Sequence, residues 1–438
     1  LSQQTASRWR RVLDAYREPR MLAVLFMGFS SGLPLPLTFS TLSIWLAQAG
    51  VSRKDIGLFT LVGISYNFKF VWSPLIDRLP LPILTNWLGR RRSWAIFLQV
   101  LLAVAIFGLS LTDPAVAPGT TAVLAVVVAF LSASQDIVID AYRIELLTDE
   151  QQGAGVAATQ WGYRFGMIAA SAGALYAVAY GGWHLAYGLM ALLMGVGIVT
   201  VLLTPEPDAA PIAMAKSGSA LERTGEWLRT AVVAPFADFM KRRSWLAILV
   251  FIMLYKLGDA LAGSMAGTLY VSLGFKVQEI AAISKVFGVM ATLVGVAIGG
   301  AAVTRWGAFP SLLVCGIVQN VSTLMYAVLA HAGHNNFMLA LSILLENITG
   351  GMGAAAATAY MSQLCNIRFT ATQFALLTSV AMLGRTVLSS PGGWLSERLG
   401  WEPFFVVASF AGLPSLILLL WLMRREQTTA LVQRARKS

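Results

Sequence analysis

The sequence predicts an all-α membrane protein of 12 transmembrane helices, arranged as two pseudo-symmetric six-helix bundles with both termini in the cytoplasm. Three observations predict it: apolar residues gathered into span-length blocks, basic residues concentrated on one side of those blocks, and matches between the two halves of the chain at nearly one offset. Of 438 residues, 57% are hydrophobic and only 12% charged, with a mean hydropathy of +0.69. Soluble domains carry about 25% charged residues, so this chain is built for lipid.

The blocks lie at 21–46, 56–76, 93–112, 121–147, 154–180, 185–204, 245–271, 280–303, 309–330, 336–364, 371–391 and 402–423. At ~1.5 Å per residue each can cross ~30 Å of hydrocarbon. The first follows a polar, basic opening rather than a signal peptide. The second and third flank a basic loop. Residues 205–219 are rich in Pro and Ala and read as a linker. Leu221, Leu228, Val232, Phe236 and Phe239 then recur at helical spacing before Lys241-Arg242-Arg243, the pattern of an amphipathic helix on the membrane face. The division is therefore an N-terminal bundle (1–204), a linker (205–243) and a C-terminal bundle with a basic tail (244–438).

With both termini inside, the cytoplasmic segments hold 23 Lys and Arg and the outer loops 4, and the remaining five (Lys69, Arg164, Lys256, Lys285 and Arg385) lie within spans. That bias sets the orientation. The net charge of +11 is accounted for by these loops, and no nucleic-acid partner is implied. The halves repeat: Gly50 and Asp55-Ile56 match Gly274 and Glu279-Ile280, while Gln152 and Arg164 match Gln373 and Arg385. Two parallel six-span halves joined by a long cytoplasmic linker resemble the major facilitator plan.

An ionisable group at mid-bilayer costs at least ~2.5–3.5 kcal/mol on insertion scales, so those inside spans call for partners or a cavity. Asp136, Asp140 and Arg143 share a face of span 4. Lys69 on span 2 and Arg164 on span 5 stand at the heights of the two aspartates. The cluster reads either as an ion-pair network holding helices together or as a pair of coupled acids that takes up the transported proton. In the second half Lys256 and Asp259 share a face of span 7, Glu346-Asn347 interrupts span 10, Gln319-Asn320 marks span 9 and Arg385 occupies span 11. Asp259 and Glu346 are further proton-coupling candidates. Arg164, Arg385, Lys69 and Lys256 are candidates for binding carboxylates or phosphates, the guanidinium groups by bidentate pairing. The alternative for each is a salt bridge to a neighbouring acid. Tyr66, Asn67, Gln135, Gln160, Trp161, Asn320 and Asn347 offer the rings and amides that suit a sugar, or else ordinary interhelical packing.

His184, His331 and His334 sit near outer loops, which argues against a histidine proton relay, and Cys315 and Cys365 show no metal or disulfide spacing. Neither a nucleophile elbow nor a phosphate loop is present. The expectation is a non-enzyme with no cofactor and no metal.

The loop SPLIDRLPLPILTNWLGRRR resembles the major facilitator loop signature at Asp77, Arg78, Gly89, Arg90 and Arg91, with Ser73 in place of a Gly and extra residues between Arg78 and Gly89. In that superfamily the loop latches the halves together on the cytoplasmic side, so Asp77, Arg78, Arg90, Arg91 and Arg143 are assigned to gating. SASQDIVIDAYRIELL (132–147), with GFSSGLPLPLT, NFKFVWSPLIDR, VVAPFADF, LYKLGDAL, ENITGGMG and ATQFALLTSV, resembles the AmpG muropeptide permeases across nearly the whole chain. The resemblance implies a carrier in the inner membrane of a Gram-negative bacterium. It would import N-acetylglucosaminyl-1,6-anhydro-N-acetylmuramoyl peptides by alternating access, driven by protons, for peptidoglycan recycling and β-lactamase induction. The expected partners are the anhydromuropeptide, protons and the bilayer, and the expected state is a monomer. A carrier of another anionic solute, such as an acyl-CoA or a peptide, and a non-transporting membrane sensor are the alternatives.

Overall fold

The structure, a computed structural model, describes residues 18–51, 62, 64–207, 229–275, 279, 283 and 287–435. Among these every regular element is helical. The chain runs through α1 (Pro19–Gly32), α2 (Pro34–Thr38), α3 (Ser40–Gln48), α4 (Ile64–Phe68), α5 (Ser73–Arg78) and α6 (Leu84–Leu88) into α7 (Arg90–Ser110). It continues with α8 (Pro118–Leu146), α9 (Gln152–Ile168), α10 (Ala174–Leu193) and α11 (Gly195–Leu203). A second set follows: α12 (Ala234–Met240), α13 (Trp245–Tyr255), α14 (Leu257–Ser272), α15 (Gly288–Trp306), α16 (Ala308–Ala332), α17 (Asn336–Gln363), α18 (Thr370–Ser389), α19 (Gly392–Leu399), α20 (Trp401–Phe410) and α21 (Leu413–Ala435).

Ten helical runs among the described residues are long and apolar enough to cross a membrane. One of them, 152–203, joins two helices across a kink at Gly181 and Gly182, where Gly182 takes a φ of 73°. The starts of the expected second and eighth spans, Asp55-Ile56 and Ile280 of the repeat, Lys285, and Leu221 and Leu228 of the linker helix lie outside the described residues. Where that linker helix is described, Phe239 is buried against Ile248 and Phe251 of α13. Its end thus packs into the second helix set instead of lying wholly in the membrane face.

Lipid tails are as apolar as Leu, so helices in a bilayer gain most by bringing backbones close through small residues. Two pairs do this here. A Cβ on Gly28 or Gly32 of α1 would strike the backbone of Thr159 or Tyr163 on α9, and one on Gly162 or Gly166 of α9 would strike Leu25 or Phe29 on α1. The pair α15 and α17 repeats the device, with Gly295 against Ile348, Gly299 against Met352 and Gly351 against Thr292. The two helix sets meet along two lines: α9 lies on α15, and α4, α5 and α8 lie on α18.

Two of these runs, 19–48 and 245–272, and the shorter helical stretch 64–78 are interrupted. Pro34 and Pro36 follow α1, and Phe39 (φ −124°, ψ −95°) parts α2 from α3. Lys69–Val71 is a single 3-10 turn between α4 and α5. Lys256 (φ −104°, ψ 15°) separates α13 from α14. Such breaks free backbone carbonyls and are tolerated in a membrane where they face protein or a cavity.

The glycine contacts yield a test. Gly162→Leu and Gly295→Leu, each placing a side chain into the facing backbone, should each abolish recovery of monodisperse protein from membranes, while Gly188→Ala, which meets open space, should leave recovery unchanged in size-exclusion chromatography.

Candidate functional site

The polar residues gather in four places. The first is the end of the bundle that carries the turn between α5 and α7. Gly89, at φ 85°, lets α7 start so that Arg91 points inward with no exposed surface. Arg91 Nη2 donates to Asp77 Oδ1 at 2.7 Å and to Glu145 Oε1 at 2.5 Å, and its Nε donates to Glu145 Oε2 at 2.9 Å. Glu206, just after α11, accepts the backbone N–H groups of Arg91 and Arg92 at 2.7 and 3.0 Å, which satisfies and neutralises the start of α7. Arg90 lies 3.8 Å from Glu145 and donates to the Asp77 carbonyl at 2.9 Å.

From this block Asp77 reaches across to the second helix set. Its Oδ2 accepts from the backbone N–H of Thr372 at 3.1 Å and from the Thr372 hydroxyl at 3.0 Å, in the first turn of α18, where a carboxylate is favoured. Arg78 crosses the same line, its guanidinium 4.8 Å from the centre of the Phe369 ring. Arg143 Nη2 donates to Ser362 Oγ at 3.1 Å and Nη1 to Gln152 Oε1 at 3.2 Å, and the guanidinium lies 5.5 Å from the Phe374 ring centre. All five expected gating residues therefore lie in this one cluster. Glu145, Glu206, Thr372 and Ser362 were not assigned to it from sequence; only Glu145, two residues beyond Arg143 on α8, carried a signal.

The second place is nearer the end of α8, around Asp136 and Asp140. Lys69 Nζ and Arg143 Nη2 each lie 3.8 Å from Asp140, a charge contact longer than a good hydrogen bond. One turn away Asp136 accepts from the hydroxyl of Ser31 on α1. Arg164 does not join this acid: among the described residues it makes no ion pair. Tyr163, its chain neighbour, is the α9 residue within electrostatic reach of Asp136, while Arg164 is within reach of Arg385. Successive helical side chains point ~100° apart, so equal height did not mean a shared face.

The third place mirrors the second. Lys256 Nζ, at the break before α14, lies 3.2 Å from Asp259 Oδ2 and donates to Gln319 Oε1 at 3.2 Å and to the Gly350 carbonyl at 3.0 Å. Glu346 on α17 is buried. It accepts from the Ser322 hydroxyl at 2.9 Å and lies within electrostatic reach of Asp259. Neighbouring carboxylates repel when both are charged, which keeps the pair a candidate proton site.

The fourth place is Arg164 and Arg385 themselves, on α9 and α18. Arg164 is half-buried and Arg385 exposed, and neither has an acidic side chain within salt-bridge distance among the described residues. Two like charges within reach of each other can hold an anion between them, with Asp259 also within electrostatic reach of Arg385.

The remaining expected sugar ligands divide. Tyr66 and Asn67 on α4 and Gln160 on α9 are half-buried. Trp161 Nε1 donates to the Leu293 carbonyl at 2.9 Å, tying α9 to α15. Asn347 accepts from the Thr292 hydroxyl at 2.9 Å and donates to the Ile343 carbonyl at 2.8 Å. The Asn320 side chain packs on Gly412. Gln135 is fully buried. Trp161, Asn347 and Asn320 take part in helix contacts in this arrangement, whereas both amide atoms of Gln135 are buried without a hydrogen-bond partner among the described residues.

The description of the Major Facilitator Superfamily matches residues 21–333 and again 249–438. The chain is 41% identical over 411 residues to the anhydromuropeptide permease of Escherichia coli, a match covering 93% of this chain and 80% of that one. It is 34% identical over 414 residues to the putative transporter AmpG 4 of Rickettsia conorii, covering 94% and 98%. Among solved structures, the outward conformation of the transporter FucP superposes with a TM-score of 0.67 at 13% identity, covering 93% of this chain and 99% of that one. The proton:xylose symporter XylE superposes at 0.62 and 13%, covering 95% and 96%.

Cys365 lies half-buried beside the latch, and so reports on it directly. In a Cys315→Ser background, Asp77→Asn should speed alkylation of Cys365 by maleimide in membranes several-fold, because the neutral amide holds the start of α18 less well. An unchanged rate would show that Asp77 does not hold the two helix sets together.

Proposed function

We propose, for a chain that belongs to the major facilitator superfamily and within it to the AmpG permeases, that it imports anhydromuropeptides across the inner membrane of a Gram-negative bacterium. The substrate is the N-acetylglucosaminyl-1,6-anhydro-N-acetylmuramoyl peptide. The observation that carries this reading is the match to the E. coli anhydromuropeptide permease over 93% of the chain. In this reading 12 spans form two six-helix bundles, 1–204 and 244–438, joined by the 205–243 linker, with both termini cytoplasmic and the protein a monomer. The imported sugars enter peptidoglycan recycling and bear on β-lactamase induction.

A working cycle follows from this reading. With the Asp77 end cytoplasmic, its contacts with Thr372 close that side and substrate enters from the periplasm. Arg164 and Arg385 receive carboxylates of the stem peptide, and the half-buried Tyr66, Asn67 and Gln160 meet the disaccharide. Protons drive the turnover. Asp136, Asp140, Arg143 and Glu145 all lie on α8, so the acid pair and two members of the latch, Arg143 and Glu145, belong to a single rigid element. Protonation of Asp140 removes the partner of both Lys69 and Arg143, and Arg143 is the residue that reaches Ser362. A proton at mid-depth thereby biases a contact at the cytoplasmic end, the differential interaction a population shift needs. Asp259 and Glu346 form a second proton site in the other half. Carboxylate recognition by two arginines does not single out a muropeptide, so an acyl-CoA or a peptide is the alternative cargo, and competition by those solutes tests it.

Proteoliposomes holding the protein should accumulate labelled disaccharide anhydromuropeptide when an inward proton gradient is imposed and merely equilibrate it when none is. Asp136→Asn and Asp140→Asn should lose accumulation while keeping counterflow. If both accumulate normally in folded protein, the coupling proton belongs to Asp259 and Glu346 instead. Arg164→Gln and Arg385→Gln should each raise KM at least ~10-fold, the loss of one charge-assisted hydrogen bond of ~1.5–3 kcal/mol. An equal effect on a substrate analogue lacking the stem peptide would assign those arginines to another part of the cargo.

A further inference from the structure

Asp238 is the acid of α12, and the cycle above makes no use of it. Its side chain is half-buried. Oδ2 accepts from Gln373 Nε2 at 3.0 Å and from Asn366 Nδ2 at 3.2 Å, so one oxygen of the linker holds two residues of the second helix set. Those two also bond each other, the Asn366 N–H donating to Gln373 Oε1 at 2.7 Å. Both partners of the carboxylate are neutral amides, and a charged acceptor roughly doubles the strength of such a bond.

The residues between Asn366 and Gln373 are the ones the latch grips. Asn366 Oδ1 accepts from the Arg368 N–H at 3.1 Å and starts the 3-10 turn Ile367–Phe369. Phe369 is the ring beneath Arg78, and Thr372 presents the N–H and the hydroxyl that Asp77 accepts from. An acid that fixes residues 366 and 373 therefore fixes the direction of both contacts, and direction matters because a hydrogen bond weakens steeply as its angle closes.

The linker is seated firmly enough to serve as that support. Gln373 Nε2 donates to the Pro235 carbonyl at 3.1 Å, Arg242 Nη2 to the Leu364 carbonyl at 2.6 Å, and Phe239 is buried in the core of the second set. The turn Arg229–Val233, just before α12, lies against α5, the helix that carries Asp77. The linker thus touches both sides of the latch.

We propose that Asp238 is a positioning residue for the gate. It holds the start of α18 and the turn before it in the shape that Asp77 and Arg78 recognise, so the seating of the linker sets how fully the latch closes. This deepens the alternating-access reading and rests on it for the meaning of the latch.

The test uses the full chain in lipid nanodiscs, with Cys315→Ser and Cys365→Ser as background and nitroxide labels on Asn86→Cys and Ile367→Cys. Both positions are exposed, one on each side of the latch, and double electron–electron resonance reads the distance between them. The labelled parent should show a short, closed population. Asp238→Ala should lower the closed-to-open ratio several-fold, and Asp238→Asn, whose amide oxygen still accepts, should restore most of it. Asp77→Asn should open the latch by itself. Because Asp238 acts through the residues that Asp77 grips, adding Asp238→Ala to Asp77→Asn should open it little further. An unchanged distance distribution in folded Asp238→Ala overturns the proposal. Full additivity of the two substitutions overturns it as well, since Asp238 would then brace the linker without acting on the latch. No substrate enters these readouts, so failure here and failure of the muropeptide assignment are separate results.

Discussion

Arg91 is a full charge sealed from water between two acids, and the arrangement at its end of the bundle follows from that. Removing one partner from such a cluster strands a buried ion at a cost of ~3–5 kcal/mol, so Asp77, Glu145 and the starts and ends of α5, α7 and α8 are fixed relative to one another. Asp77 spends one oxygen on Arg91 and offers the other to α18. The first contact lies wholly within one helix set and does not depend on Thr372 for its geometry. The acid is therefore aimed before the second helix set arrives, and closing requires little further ordering at that point.

Spacing and depth were enough to find the ion pairs that lie within one helix or one turn. Lys256 with Asp259 and Asp140 with Arg143 follow from a separation of three residues, and Lys69 with Asp140 from equal depth. They were not enough where rotation decides. Arg164 has the height of Asp136 but turns toward Arg385, because helix phase at a buried position depends on which neighbours pack against it, and Gly162 and Gly166 commit the opposite face of α9 to α1. The twofold ambiguity of Trp161, Asn320 and Asn347 was also beyond sequence, since a ring or amide bonds a carbonyl as readily as a sugar hydroxyl. The helical architecture was legible because apolar blocks and breaks are local; Pro34 and Pro36 announce one interruption, but nothing near Lys69 or Lys256 announces the others.

The duplication is clearer in what its residues do than in how many of them match. Gln152 donates to the Ile144 and Leu147 carbonyls, and Gln373 accepts from the Asn366 N–H and donates to the Pro235 carbonyl. Each fastens the start of a long helix to the chain just before it or to the linker. The facing contacts have diverged. The start of α18 meets the carboxylate of Asp77, whereas the start of α9 packs at Gly153 against Gly300, Val303 and Thr304. One line of contact is closed by charge, the other by fit.

The glycine-lined pairs α1 with α9 and α15 with α17 have a mechanical consequence. Two helices whose backbones touch through several glycines cannot slide or splay without voids, so each pair is a stiff beam, and the beams meet where α9 lies on α15. A small rotation at that joint becomes a large displacement at the far ends of the beams, and the charged line at α18 sits on the opposite flank of the bundle. Selection for a bulkier or differently charged cargo can therefore act on α4, α8 and α18 without touching the joint. The glycines are left as the part of the machine least free to drift.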